Sequence, residues 1–283
     1  MPTMMADLTV GRNRLRMAGE DRVAFLHGQC TNDIRSLKPG QDCYAAFLNA
    51  KGKMRGDAYI VCLDDAFLLD ASAELRESLE KFIITEDVNV EDVSATIGEW
   101  LVVDAVGKAA RPAVAPYPEL EVVLPADAVI FAHPLGIGIL SPTPLPVTLD
   151  ANALEVLRIE AGVPKWGVDM DEDTIPVEAG LESRAISYDK GCYIGQETIA
   201  RIKTYGHVNR RLVQLEMDGD WLPGRGERIF CGVREAGCVT SAASSNRLGK
   251  TLALGYVRRE FAMAGVKLTI GKQAAEVLKL CGQ

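Results

Sequence analysis

The chain of 283 residues has no pair of cysteines spaced C-x-x-C. Its seven cysteines, at 30, 43, 62, 192, 231, 238 and 281, are odd in number. That pattern speaks against a disulfide framework and fits a reducing cytoplasm. It also argues against a zinc or iron–sulfur centre held by the chain itself. Histidine is scarce. His27, His133 and His207 are the only three, and none sits at metal-ligand spacing. No run approaches the ~18 apolar residues that a membrane span needs. The stretch Met1 to Asp7 lacks a basic segment followed by an apolar one, so no secretion signal is expected. There is no P-loop. Gly136-Ile137-Gly138 and Gly224-Arg225-Gly226 fail as dinucleotide fingerprints, because neither leads from a strand into a helix. A net charge of −8 argues against bulk nucleic-acid binding by a basic surface. No repeat or low-complexity tract is visible.

What remains is ordinary for a globular chain of two or three domains, with 48% hydrophobic and 25% charged residues. Residues 8–16 alternate weakly and read as an edge strand. Gly19 to Leu26 reads as a short helix stopped by Gly28, and Thr31 or Asn32 as the cap of a second one running to Leu37. Strands are expected at 44–48, 57–63 and 66–69, with a hairpin tip at Asp64-Asp65. Ser72 should cap a helix whose apolar face is Leu75, Leu79, Phe82 and Ile83. Further strands are expected at 88–93, 100–106, 120–124 and 128–131. Eight of the thirteen prolines fall between 112 and 146 and mark connecting segments. Asp150 should cap a helix with Leu154, Leu157 and Ala161 inward. From Leu212 onward six short strands alternate with tight turns such as Asp218-Gly219 and Gly271-Lys272, which suggests a small closed barrel.

One stretch stands apart: Lys190-Gly191-Cys192-Tyr193-Ile194-Gly195-Gln196-Glu197. A helix is expected from Gln196 to Thr204, stopped by Gly206, with Arg201 and Lys203 in its last turn. Cys192 would lie near its N-terminus with Lys190 close by, and both features favour thiolate over thiol. The alternative is the common fate of free cysteine, a small buried hydrophobe. Two flanking glycines and a lysine are poor company for that role.

Charge is also uneven. From Arg184 to Arg211 there are six basic and two acidic residues, a net +4 in a chain of −8. This island suggests a small anionic ligand or one defined nucleic-acid contact, unless it is merely a solubilising face. Asp57 opens a strand after a glycine-containing turn, and Glu178 lies in a Pro-x-Glu-x-Gly-Leu segment. Two such carboxylates could bind paired N–H groups and handle a proton, or could simply be surface groups.

The stretch 190–197 resembles the signature of the folate-binding YgfZ proteins, relatives of the glycine cleavage T-protein (aminomethyltransferase) and of iron–sulfur assembly factors. The likeness extends to Leu157–Pro164, Asp169, Pro176–Leu181, Gly237–Ser241, Leu248–Lys250 and Ala253–Val257. It implies an α+β fold: a cloverleaf of two ferredoxin-like lobes and a small C-terminal β-barrel around a central folate-binding hole. The corresponding domains are 1–206, with a middle lobe near 49–133, and a barrel at 207–283. It implies tetrahydrofolate or a reduced derivative as cofactor, bound by Asp57, Glu178, Lys190, Tyr193, Gln196 and Arg201. Cys192 and Asp57 are its candidate reactive groups. T-proteins read Phe-Ile-Gly-Lys/Arg where this chain has Cys192 to Gln196, so a thiol replaces a non-nucleophilic residue.

The function implied is assembly or repair of iron–sulfur clusters in client enzymes, including tRNA-modifying ones, through Cys192. The expected partners are therefore reduced folate, iron–sulfur client or assembly proteins and tRNA, with no membrane. Two alternatives stand beside it. One is an aminomethyltransferase passing a one-carbon unit to tetrahydrofolate, and the other is a folate-responsive tRNA-binding module without catalysis.

Overall fold

A computed structural model describes residues 4–103 and 124–282. The strand expected at 120–124, apart from Leu124, lies outside them, as do residues 104–106. The chain divides into two compact units, each built from separated segments. One holds Met1–Lys51, Arg55–Ala151 and Arg184–Gln196. The other holds Gly52–Met54, Asn152–Ser183 and Glu197–Gln283.

Among the described residues, the first unit contains two sheets. One has four strands in the order β1 (Met4–Asp7), β7 (Gly98–Val103), β9 (Gly136–Ser141), β8 (Val129–His133). The other has five, in the order β3 (Asp42–Leu48), β4 (Met54–Cys62), β5 (Ala66–Ser72), β2 (Arg12–Ala18), β6 (Asn89–Asp92). Strands β3, β4 and β5 are buried almost throughout, as expected of strands covered on both faces. Their core gathers Leu15, Met17, Phe47, Ile60, Phe67 and Leu69 against Phe25 and Leu26 of α1 (Arg22–Gln29).

Several expectations fail here for identifiable reasons. The residue 8–16 segment is not an edge strand. It supplies β2, which pairs with β5 on one side and β6 on the other. The helix expected after Thr31 is absent. The Thr31 hydroxyl donates to the Ala185 carbonyl at 2.5 Å and accepts from the Ala46 N–H at 3.0 Å, so it is not available as a cap. Ser72 ends β5, where its hydroxyl accepts from the Asp57 N–H at 3.2 Å. The following helix, α2 (Leu75–Glu80), is shorter than expected and leaves Phe82 partly exposed.

In the second unit, α3 (Ala151–Ala161) turns Arg158 and Ile159 inward; Leu154 and Leu157, expected there, are half-buried, and Ala161 is exposed. A buried partner explains this. Arg158 donates to Asp169 at 2.6 Å, and Asp169 also accepts from Ser241 at 2.7 Å. The helix expected at 196–204 is α5 (Gln196–Tyr205). Gly206 follows it at φ +81°, with its N–H on the Ile202 carbonyl. The expected barrel closes in the order β10 (Arg210–Met217), β13 (Lys250–Arg258), β12 (Arg234–Ser245), β11 (Arg228–Cys231), β14 (Lys267–Ile270), β15 (Gln273–Leu280). Register shifts in β10, β11 and β12 give short strands the curvature that closure needs. The fold is thus mixed α/β with a closed six-stranded C-terminal barrel. Among the described residues no helix is long and apolar enough to cross a membrane.

Candidate functional site

Asp57 lies on β4, only 3% exposed. The preceding residue must be glycine, because a Cβ at Gly56 would meet the Ser72 hydroxyl at 2.3 Å. Both oxygens of Asp57 are held. Arg12 Nη1 donates to Oδ1 at 2.9 Å, and the Tyr44 hydroxyl donates to Oδ2 at 2.6 Å. Arg12 also donates through Nε to Asp70 Oδ2 at 2.6 Å and through Nη2 to the Asp70 carbonyl at 2.8 Å. One guanidinium therefore bridges two buried carboxylates. Burial opposes its charge, but the neighbouring acids, Asp57 first and then Asp70, outweigh that and hold its pKa well above the usual value.

Aromatic rings surround this group. The Arg184 guanidinium lies 4.3 Å from the centre of the Tyr44 ring, and Tyr44, Phe131 and His133 all pack around Tyr59. Burial, then the charge of Asp57, pushes the Tyr44 phenol well above its ordinary pKa. Burial raises Tyr59 to about 12. Burial, then the positive charges of Arg184 and Arg12, lowers His133 to about 3. His133 is therefore neutral, and its Nδ1 accepts from the Leu135 N–H at 3.1 Å.

The 190–197 segment is fastened to the end of α1. Lys190 is buried, and its ammonium donates to the carbonyls of His27, Cys30 and Asn32 at 2.6, 2.7 and 2.8 Å. The last carbonyls of a helix have no intrahelical partner, and a cation suits that end of the dipole. Lys190 also lies 5.0 Å from the centre of the buried Tyr193 ring, and the Ile194 N–H donates to the Gly28 carbonyl at 3.2 Å. Between these anchors Cys192 is exposed. The thiol is thus not a core hydrophobe. The expected assistance from Lys190 takes another form. Its three N–H bonds go to backbone carbonyls, so it positions the loop that carries Cys192. Gly195 at φ +82° makes the turn into α5, and Gln196 opens that helix, four residues after the cysteine.

In the second unit, Glu178 is 7% exposed. Its Oε2 accepts from Arg210 Nε at 2.9 Å, and the Arg210 guanidinium lies 4.6 Å from the Tyr256 ring centre. Arg201 lies on the exposed face of α5 and pairs with Glu197 at 2.8 Å. The basic island is therefore partly internal. Arg184 covers Tyr44, Lys190 holds carbonyls and Arg210 holds Glu178.

Asp70, Glu99 and the partners of Asp57 were not singled out from the sequence. Charged residues inside otherwise apolar strands, such as Asp70 within Ala66–Ser72, were the available signal.

The architecture defines a class: a mixed α/β chain with a closed C-terminal barrel, in which arginines hold the buried carboxylates Asp57, Asp70 and Glu178. Residues 210–280 match the glycine cleavage T-protein C-terminal barrel domain. An aminomethyltransferase of Thermosynechococcus vestitus is 28% identical over 292 residues, covering 91% of this chain and 77% of that protein. An uncharacterized protein of Haemophilus influenzae is 27% identical over 243 residues, covering 81% of each. The crystal structure of the glycine cleavage system aminomethyltransferase T from Bartonella henselae shares the fold, with a TM-score of 0.78 at 21% identity over 99% of this chain and 86% of that one. The chain is thus similar to a glycine cleavage T-protein in its barrel and to aminomethyltransferases along most of its length, and it shares the fold of one.

Proposed function

We propose that this protein binds tetrahydrofolate and acts, through Cys192, in assembly or repair of iron–sulfur clusters in client enzymes, as the YgfZ resemblance implies. The observation that carries it is the presentation of Cys192: an exposed thiol on a loop fastened by the buried Lys190 and Tyr193. Three converging carbonyl bonds are a large commitment for a loop that presents nothing. The cluster is the client's cargo, and tRNA-modifying enzymes are among the clients proposed.

The chemistry of two carboxylates supports this reading. Glu178 is buried and oriented through Oε2 by Arg210, and such a fixed carboxylate suits a ring that offers paired N–H groups. Bound tetrahydrofolate would supply a carrier for a one-carbon unit. Asp57, held at both oxygens, would offer a fixed negative charge to an amine nitrogen.

The test has two arms. Reduced folate is titrated into the wild-type protein and into Glu178→Gln and Asp57→Asn. Weaker binding in both variants supports the folate reading, and no binding to the wild type ends it. Cys192→Ala is then introduced into cells lacking the native protein. Loss of activity in cluster-dependent enzymes is expected, and full activity overturns the role of the thiol.

The aminomethyltransferase reading is favoured by one observation, the likeness to enzymes of that name along most of the chain. Reconstitution with the other glycine-cleavage components separates the two. Formation of methylene-tetrahydrofolate at a rate that Cys192→Ala does not change would favour the transferase.

A further inference from the structure

Behind Asp57 lies a second acidic pair that the functional reading does not use. Asp70 on β5 is 0% exposed and Glu99 on β7 is 1% exposed, so the pair joins the two sheets of the first unit. Asp70 Oδ1 and Glu99 Oε2 are both buried, and neither has a donor among the described residues. The two carboxyl groups instead interact with each other. Ionised carboxylates are acceptors only and cannot bond to one another.

We propose that Asp70 and Glu99 hold one proton between them and so act as positioning residues for Asp57, through the bridging guanidinium of Arg12. The proton resides on Glu99, which donates to Asp70. Burial, then the neighbouring charge of Asp70, holds Glu99 well above the usual carboxylate range. The charged groups that bear on the pair are Arg12 and Arg14 from β2 and Asp57 from β4. Arg14 gives its N–H bonds to the carbonyls of Thr9, Arg12, Ser94 and Ile97, so it supplies field but no hydrogen bond to either carboxyl.

The consequence follows from charge. With one shared proton the pair carries a single negative charge, matching the one on Asp57, and Arg12 is held between two equal anions. A second negative charge on the pair would draw Arg12 away from Asp57. Loss of the Glu99 proton donor would leave Asp70 Oδ1 orphaned and free Asp70 to move. Glu99 touches no ligand in this scheme. It acts through Asp70 and Arg12. The step to ligand affinity rests on the folate reading above, but the shared proton does not.

The experiment compares the wild type with Glu99→Gln and Glu99→Ala. In deuterated buffer at neutral pH, the infrared difference between wild type and Glu99→Gln is expected to contain the carbonyl stretch of an un-ionised carboxylic acid. A difference made only of carboxylate bands overturns the shared proton. Glutamine can still donate to Asp70, so Glu99→Gln should bind reduced folate within about twofold of wild type, whereas Glu99→Ala should lose roughly tenfold. Equal losses in both variants, or none in either, overturn the positioning role. Should Glu99→Ala not fold, Glu99→Met fills the volume without a hydrogen bond and takes its place. A wild type that binds no reduced folate ends the functional reading. The Tyr44 hydroxyl proton resonance then reports on Asp57, moving in Glu99→Ala and staying in Glu99→Gln if Glu99 positions it.

Discussion

The Tyr44 hydroxyl donates to Asp57 Oδ2 at 2.6 Å while Arg12 donates to Oδ1 of the same carboxylate at 2.9 Å. Asp57 is therefore clamped from both sides by groups on β3 and β2. Tyr44→Phe keeps the ring under Arg184 and removes only the hydroxyl. A hydrogen bond to a buried charge contributes about 1.5–3 kcal/mol. Urea unfolding should show Tyr44→Phe destabilised by that amount, with the slope against denaturant unchanged. A stability equal to wild type would mean that the second oxygen of Asp57 does not need its donor.

The pH dependence of stability should carry a signature of His133. Its folded pKa is about 3, against 6.5 for the free side chain. Between those values the unfolded chain binds a proton that the folded protein refuses. Stability therefore rises with pH across this window and falls as pH drops from 6.5 toward 3. One such proton contributes a slope of about 1.4 kcal/mol per pH unit at most. His133→Asn keeps an acceptor for the Leu135 N–H and removes the titration. Its stability should fall less steeply over the same window, as measured by denaturant midpoints at successive pH values. Parallel curves for the two proteins would count against a neutral, half-buried His133.

In the second unit, Gly180 sits at φ +75°, and a Cβ there would meet the Cys281 carbonyl at 2.0 Å. Gly282 is its counterpart, with a Cβ meeting the Gly180 carbonyl at 1.8 Å. The end of the chain thus packs backbone to backbone against the turn that carries Glu178. Gly180→Ala combines an unfavourable φ with a clash that no rotamer relieves, and should cost roughly 2–4 kcal/mol. Thermal unfolding measures it. A melting temperature unchanged from wild type would show that this approach is not required.

The parts that were legible in the sequence are those in which local signals and tertiary structure agree. The barrel announced itself because alternation and turn residues repeat within a few residues of each other, and all six strands formed close to their expected places. Helix α5 was equally plain, since its stop at Gly206 is local. Failures cluster where a polar side chain is taken by a distant partner. Thr31 looks like a cap but bonds Ala185 and Ala46. Arg158 looks like an outward residue of an amphipathic helix but is drawn in by Asp169. The weakly alternating segment 8–16 reads as an edge strand, yet Arg14 within it is only 3% exposed and Arg12 bridges two acids. In the same way Asp57, Glu178 and Cys192 could be chosen by resemblance, while Arg12, Tyr44, Asp70 and Glu99, which fix the first of them, could not.

The loop that presents Cys192 depends on Lys190, and the two can be separated experimentally. Cys192 is exposed, whereas Cys30, Cys43, Cys62 and Cys281 are buried and Cys231 and Cys238 are partly so. A thiol reagent should label Cys192 first, and Cys192→Ala should lose that fast phase. Lys190→Met fills part of the volume but leaves the carbonyls of His27, Cys30 and Asn32 without their shared donor. Each orphaned buried acceptor costs about 1–3 kcal/mol, so the variant should lose roughly 3 kcal/mol or more. Lys190→Arg should not restore it, because a planar guanidinium fork cannot converge three N–H bonds on carbonyls arranged around one ammonium. Cys30 supplies one of those carbonyls and is 0% exposed in the intact protein. Its labelling rate should therefore rise in Lys190→Met, because the segment that covers it opens more often. If Cys30 remains as slow as in wild type while Cys192 labels normally, the ammonium is not what holds this loop to the helix.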